Sequence, residues 1–508
     1  MPYLSIVTFL PILGALVVAA LPNEASKPGA LAVSVATLVA SLPLWFGFDP
    51  SDPAWQFVED HAWIDTFGIR YHLGIDGVSL LLVLLTTVLT PIIVLAGYSG
   101  VEKGHAAYFA LMLALEGAMI GTFCALDTFL FYLFWELVLI PMYFLIGIWG
   151  GVRRIYAAVK LFVYTVAGSL LMLVAFIALY VLHKEQTGHW STDLGDLLAL
   201  NIPLDAQLWM FACFALAFAI KVPMFPVHTW LPDAHVEAPT GGSVVLAGVM
   251  LKMGTYGFYR LAMPLFPAAA VEYGPFLIAL AVVGVVYGAL VAMVQDDVKK
   301  LVAYSSVSHL GFVMLGLFAL NEQGVAGSVL QMLNHGVSTG ALFLLVGVIY
   351  ERRHTRMIAD FGGLTKVVPL FAVVFMVVTL SSIGLPATNG FVGEFLILLG
   401  AFQFAPVPTA VAATGVILGA AYMLWMFQRV MFGPLTNHAN KALTDLNGRE
   451  IAYLAPLLVL IFWMGVYPQP FLDRINPSVT TFVQRMATAY EGSPYEQVAG
   501  RPAWIKGE

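Results

Sequence analysis

Apolar runs of about 20 residues, parted by short polar or glycine- and proline-bearing breaks, recur from one end of the chain to the other. They lie near residues 3–21, 29–48, 77–97, 106–125, 128–149, 157–182, 207–232, 242–263, 275–294, 300–320, 325–350, 368–402, 409–432 and 452–471. A helix rising about 1.5 Å per residue needs about 20 residues to cross a hydrocarbon core about 30 Å thick. The pattern therefore predicts an all-α polytopic membrane protein with fourteen transmembrane helices. No hydrophilic stretch is long enough for a soluble domain, so residues 1–508 read as one membrane unit.

Two of the expected spans are interrupted. The seventh reads "FALAFAIKVPMFPVHTWLPDAHVEAPT", with Lys221, Pro223, Pro226 and His228 inside it. The twelfth reads "VVTLSSIGLPATNGFVGEFLIL" and holds Pro386, Gly390, Gly393 and Glu394. They are five spans apart. A five-span unit used twice reverses its direction in the membrane, which predicts inverted repeats over 106–263 (helices 4–8) and 275–432 (helices 9–13). Residues 1–105 then supply three N-terminal helices, and 452–508 a last helix and tail. Within that tail, 478–490 fits a short interfacial helix or plain tail equally.

Composition adds detail. Of 508 residues 60% are hydrophobic and 10% charged, against about 25% charged in a soluble domain. Cys124 and Cys213 both fall in apolar runs, too few for an iron–sulfur cluster. No basic cluster interleaved with aromatics suggests nucleic acid, and no glycine-rich turn follows a predicted strand. His228 and His235 are spaced unlike metal ligands, so no metal is expected. The first span lacks a preceding positive charge and reads as a retained helix rather than a signal peptide.

Loops after odd-numbered spans hold thirteen Lys and Arg residues, those after even-numbered spans up to the twelfth only Arg70, Lys184 and Arg260. Basic loops stay on the cytoplasmic or matrix side, so both termini are expected on the periplasmic side.

Four ionisable residues sit deep in apolar runs: Glu136, Lys221, Lys252 and Glu394. Lys252 lies about 15 Å from either end of its span, at the bilayer midplane. A charge there costs about 2.5–3.5 kcal/mol on insertion scales. Two of each sign fit structural ion pairs, but apolar replacements often serve stability equally well. The alternative is that proton affinity is their purpose, because desolvation and a partner charge pull a buried lysine in opposite directions. Pro223 and Pro226 cannot donate to the carbonyls of Ala219 and Val222, and Pro386 cannot donate to that of Ser382. Such backbone is tolerated at membrane depth where it is buried in protein or lines a water-filled cavity. His309 and His335 lie inside spans 10 and 11 beside Ser305, Ser306, Ser308, Asn334 and Ser338, as relay stations or helix-packing groups.

The stretch "KVPMFPVHTWLPDAHVEAPTGGSVVLAGVMLKMGTYGFYR" resembles the core of the antiporter-like proton-pumping subunits of respiratory complex I and of the related multisubunit cation/proton antiporters. The likeness runs over about residues 70–435. It implies a fourteen-helix fold with broken helices 7 and 12. Glu136 is similar to the family's helix 5 glutamate, Lys221 to its helix 7 lysine and Lys252 to its helix 8 lysine. His335 and His309 resemble links of its polar axis, with His228 and Ser308 as supporting polar groups. Where other members typically carry lysine in helix 12 this chain has Glu394, a pattern that sets it apart from subunits L and N.

The resemblance implies a proton-translocating subunit of an NADH:quinone oxidoreductase in the bacterial inner membrane or mitochondrial inner membrane. Its partners would be the lipid bilayer and the other complex I membrane subunits, L and N among them. NADH, FMN, iron–sulfur clusters and quinone would be bound by partner subunits and none by this chain. The rivals are a sodium/proton antiporter subunit, distinguished by sodium-dependent exchange, and a structural scaffold, in which neutralising the buried charges would harm assembly but not pumping.

Overall fold

The computed structural model describes residues 2–491. Its helices are α1 (Tyr3–Ala20), α2 (Asn23–Gly47), α3 (Gly77–Gly100), α4 (His105–Cys124), α5 (Thr128–Leu137), α6 (Leu139–Trp149), α7 (Arg154–Thr187), α8 (Leu194–Leu198), α9 (Leu204–Lys221), α10 (Trp230–Glu237) and α11 (Thr240–Val245). They continue as α12 (Leu251–Gly257), α13 (Met263–Leu265), α14 (Pro267–Met293), α15 (Val298–Leu317), α16 (Glu322–Arg353), α17 (Pro369–Ser382), α18 (Asn389–Phe404), α19 (Pro406–Met431), α20 (Gly448–Val466) and α21 (Gln469–Glu491). Among the described residues, 12 helical segments are long and apolar enough to cross a membrane, α5 and α6 counting together as Thr128–Trp149.

The expected eighth span is one unbroken helix with irregular turns, and the twelfth is discontinuous. Span 8 runs through α11, α12 and α13 with π-helical turns at Leu246–Met250 and Phe258–Ala262 between them. Span 12 is two half-helices, α17 and α18, parted at 383–388. Span 7 likewise ends at Lys221 and restarts as α10 at Trp230.

The layering follows from where each helix can hide its polar groups. The apolar window of α16 is 100% buried inside the protein and that of α2 only 28%. A helix enclosed by other helices can carry side chains that lipid would not tolerate. On α16 these are Gln331, Asn334, His335 and Ser338, spaced to fall on one face.

Carboxylates and amides start the helices. Asp76 caps α3, Asp127 caps α5 and Asp297 caps α15, each accepting from two backbone N–H groups of the first turn. The last two begin helices five spans apart, and their flanks match: Asp127 pairs in a β-bridge with Asp193, and Asp297 with Met357.

Three places carry structure that the apolar pattern does not show. The polar segment at 49–76 contains an antiparallel hairpin, β1 (Gln56–Ile64) with β2 (Ile69–Ile75). It turns at Gly68, whose φ of +63° suits a residue without Cβ. Arg260, counted as a loop cation, is buried in the second π turn. Its Nη2 lies 2.6 Å from Asp76 Oδ2 and its guanidinium 4.2 Å from the Trp55 ring, so charge and flat face both have partners. The C-terminal segment is a long helix, α21, that docks on the protein through Ile475, Val479, Phe482 and Met486; the expected tail beyond Glu491 lies outside the described residues.

The hairpin is tied to the loop before α8 by His72 Nδ1 and Asp193 Oδ2, 2.5 Å apart. Burial lowers the imidazole's proton affinity, but the hydrogen bond and charge of Asp193 outweigh it and hold His72 above the ordinary histidine range. A raised folded-state value means the stabilisation is complete below the unfolded value of about 6.5 and disappears as pH rises through the folded one. Amide exchange in β1 and β2, corrected for intrinsic rate, should therefore show protection falling across that interval. In His72→Asn the pH dependence should vanish.

Candidate functional site

The site is built on α16, whose buried polar face meets groups from three other segments. Lys252, 0% exposed, projects from α12. Its Nζ donates to the Ala247 carbonyl within the first π turn and lies 2.6 Å from His335 Nδ1. Which of the two nitrogens donates depends on the protonation of both groups, and His335 Nε2 has no hydrogen-bond partner.

The ring of His309, from α15, stands 5.8 Å from that of His335, centroid to centroid. His309 Nδ1 is 3.0 Å from Glu394 Oε1 on α18, and the same oxygen accepts from Gln331 Nε2 at 3.0 Å. Asn334 in turn donates to Gln331 at 3.0 Å. Ser338 of α16, Ser381 of α17 and Asn389 of α18 form a second cluster of hydrogen bonds at the break. A cavity of about 10 Å³, the room of about one water, is lined by His309, Gln331, Asn334, His335, Ser338 and Ser382 among others.

Gly393 makes this approach possible: a Cβ there would come within 2.4 Å of Gln331 Oε1 and 2.7 Å of Asn334 Nδ2. The half-helix α18 can press its backbone against α16 only because position 393 has no side chain.

At the other end Lys221 closes α9, 1% exposed, with its Nζ 4.9 Å from the centre of the Trp135 ring and no hydrogen bond. Glu136 of α5 is close enough to act on it electrostatically, yet the two make no direct ion pair, and Glu136 Oε1 is likewise buried without a partner. The end of α9 packs on Gly254 of α12, which sets Lys221 beside the segment that carries Lys252.

The break after Lys221 differs in detail from the sequence reading. The Ala219 carbonyl is not left to water, because Met224 N–H donates to it at 2.9 Å. The Ile220 carbonyl takes the Trp230 indole N–H at 2.8 Å. Protein groups thus satisfy acceptors beside Pro223, as an apolar depth requires. At Pro386 the chain leaves α17 and re-enters as α18, placing Glu394 on its second turn.

The structure brings together Lys252, His335, His309 and Glu394, and sets Glu136 beside Lys221. It does not bring in Ser308, whose hydroxyl donates to the Val285 carbonyl of α14 at 2.9 Å. Nor does it bring in His228, which sits between Phe225 and Tyr287 with both ring nitrogens unpartnered. Sequence reasoning missed Gln331, although its spacing from Asn334 and Ser338 on one helix face was visible. It also passed over Glu116, a buried carboxylate in plain view in "LMLALEGAMIG". Among the described residues no group of three or more His, Cys, Asp or Glu side chains is arranged to hold a metal ion.

Buried opposite charges, two broken helices and an enclosed polar line define a membrane subunit of the antiporter-like type. The family model for the transmembrane region of NADH:quinone oxidoreductase and Mrp antiporters matches residues 125–420, and the chain belongs to that family. Within it the chain is similar to NADH-quinone oxidoreductase subunit M of Rhodobacter capsulatus, 49% identical over 502 residues that cover 95% of this chain and 96% of that one. It is also similar to NADH-ubiquinone oxidoreductase chain 4 of Arabidopsis thaliana, 46% identical over 478 residues, 93% of this chain and 95% of that one. A chain of respiratory complex I from Thermus thermophilus with bound NADH has the same fold, with a TM-score of 0.87, 32% identity, and coverage of 95% and 99%. The chain is thus a multi-pass integral membrane subunit of the NADH:quinone oxidoreductase complex, whose other subunits are its partners.

Filling the space at Gly393 should separate α18 from α16. Gly393→Leu is expected to cost about 1–3 kcal/mol, the usual range for overpacking, and to lower the thermal midpoint of the purified complex. Gly274→Ala, where an added Cβ meets nothing within 4 Å, should leave it unchanged.

Proposed function

We propose that this subunit carries protons across the membrane through Glu136, Lys221, Lys252, His335, His309 and Glu394, linked by water and driven by redox chemistry in partner subunits. The observation that carries this reading is the joining of four ionisable groups from four segments into one buried line, beside a lysine and a carboxylate that act on each other without a hydrogen bond. A purely structural set of charges would be expected to close every pair.

The Glu136 and Lys221 pair acts as the switch. Opposite charges at about 4 Å attract by about 4 kcal/mol at an effective dielectric of 20, enough to change proton occupancy by about a thousandfold. When the pair closes, the ammonium holds its proton. When it opens, that attraction is lost and the proton passes toward Lys252, where His335 accepts at one ring nitrogen and releases from the other. Water in the cavity between His335 and His309 completes the link to Glu394. Pro223 and Pro386 keep the helices open beside this line.

The same reading takes residues 106–263 and 275–432 as inverted repeats, supported by the matching Asp caps and β-bridges of α5 and α15. It sets both termini on the periplasmic side, makes subunits L and N the neighbours, and leaves NADH, FMN, iron–sulfur clusters and quinone to other subunits. A bacterial inner membrane, or its mitochondrial counterpart, is the setting.

In assembled complex, Lys221→Ala and Glu136→Ala should retain NADH oxidation by the partner subunits while proton pumping per NADH falls severalfold. Normal pumping in both variants would sink the reading.

A further inference from the structure

Glu116 lies outside the line described above. It is the twelfth residue of the 20-residue α4, about 17 Å from one end and 12 Å from the other, so it sits near the bilayer midplane. It is 0% exposed, and its carboxyl has no partner beyond the neighbouring Thr90 hydroxyl. A carboxyl in such a place is costly whether charged or neutral. Packing alone would be met more cheaply by leucine or methionine.

Its neighbours fix its height against the rest of the site. Along α4, Met112 packs on Gly241 of α11, and Phe123 meets Tyr256 of α12, whose hydroxyl donates to the Phe123 carbonyl at 2.9 Å. These two contacts show that α4 and the segment from α11 to α12 run in the same direction. Glu116 is then about 6 Å beyond the first contact, and Ala247, whose carbonyl takes the Lys252 ammonium, about 9 Å beyond it. Glu116 and the Lys252 amine nitrogen therefore lie at nearly the same depth.

On the third side is α3, antiparallel to α4. Gly97 packs on Phe109, and seven residues along each helix the Thr90 hydroxyl stands beside Glu116, itself donating to the Thr86 carbonyl at 2.9 Å. The adjacent Leu89 packs on Gly248 of the π turn. Irregular turns of this kind displace carbonyls from the α-helical ladder, and they recur at functional sites.

We propose that Glu116 is a further proton-holding residue of this subunit, exchanging a proton with Lys252 past the π turn. In the step the carboxyl O–H bond breaks, the proton passes by way of water to the neutral Lys252 amine, and an N–H bond forms. Carboxylate and ammonium result, with no other reactant. The reverse step returns both groups to neutrality, so the pair can store a proton at the midplane without holding isolated charge. The inference rests on the proton-translocating reading above.

The test compares Glu116→Gln, isosteric and unable to ionise, with Glu116→Asp, which keeps the acid. Both are made in the whole complex, beside Lys221→Ala and Glu136→Ala. Assembly, NADH oxidation and proton pumping per NADH are measured, together with redox-induced infrared difference spectra in the carboxylic C=O region. Glu116→Gln is expected to assemble, to pump at less than half the wild-type ratio, and to lose a carboxylic band that Glu116→Asp retains in shifted form. Full pumping by Glu116→Gln while Lys221→Ala loses it would overturn this inference and leave the wider reading standing. Normal pumping in all four variants would overturn both. Failure of both Glu116 variants to assemble would mark a packing role and overturn the inference as well.

Discussion

A charge at the depth of the hydrocarbon has to be met inside the protein, and the rest of this structure is arranged around that constraint. Lys252 cannot reach either membrane surface from the middle of its span. Its ammonium is met instead by a backbone carbonyl of its own π turn and by His335 of α16. That contact requires α16 to be surrounded by other helices, because its polar face would be intolerable against lipid. The enclosure of α16 in turn needs α18 at close range, and α18 comes close because Gly393 has no side chain to hold it away.

The broken helices serve the same constraint. A continuous helix satisfies its backbone and offers nothing to a neighbour. A break in span 12 turns the chain so that Glu394 arrives beside His309 and Gln331. A break in span 7 ends α9 at Lys221, leaving the ammonium against an aromatic ring rather than a carboxylate. The Ala219 carbonyl released by Pro223 is taken back by Met224 N–H, and the neighbouring Ile220 carbonyl by the Trp230 indole.

Much of this was legible beforehand, and what was not has a common cause. Apolar periodicity exposed the spans, and proline in the middle of two of them exposed the breaks, because both signals are local. Lys221, Lys252, Glu136 and Glu394 stood out because a charge in a long apolar run has no other explanation than a partner or a task. Arg260 was misread as a loop cation because its partners, Asp76 and Trp55, lie far away in sequence. The hairpin at β1 and β2 was missed because its strands are partly exposed, with weak alternation of buried and exposed positions. Ser308 and His228 looked equivalent to the other polar groups near them. A hydroxyl or imidazole joins a line only if its helix is rotated that way, and rotation depends on neighbouring helices.

The sequence by itself determined that Glu136, Lys221, Lys252 and Glu394 are buried, that Lys252 lies near the midplane, and where spans 7 and 12 break, since each follows from spacing within one segment and the thickness of a bilayer. Only the tertiary structure decided which of them meet. Lys252 and His335 are 83 positions apart in the chain, and His309 and Glu394 are 85. Contacts at that separation depend on how helix surfaces fit, down to the missing Cβ of Gly393, and no local pattern encodes such a fit.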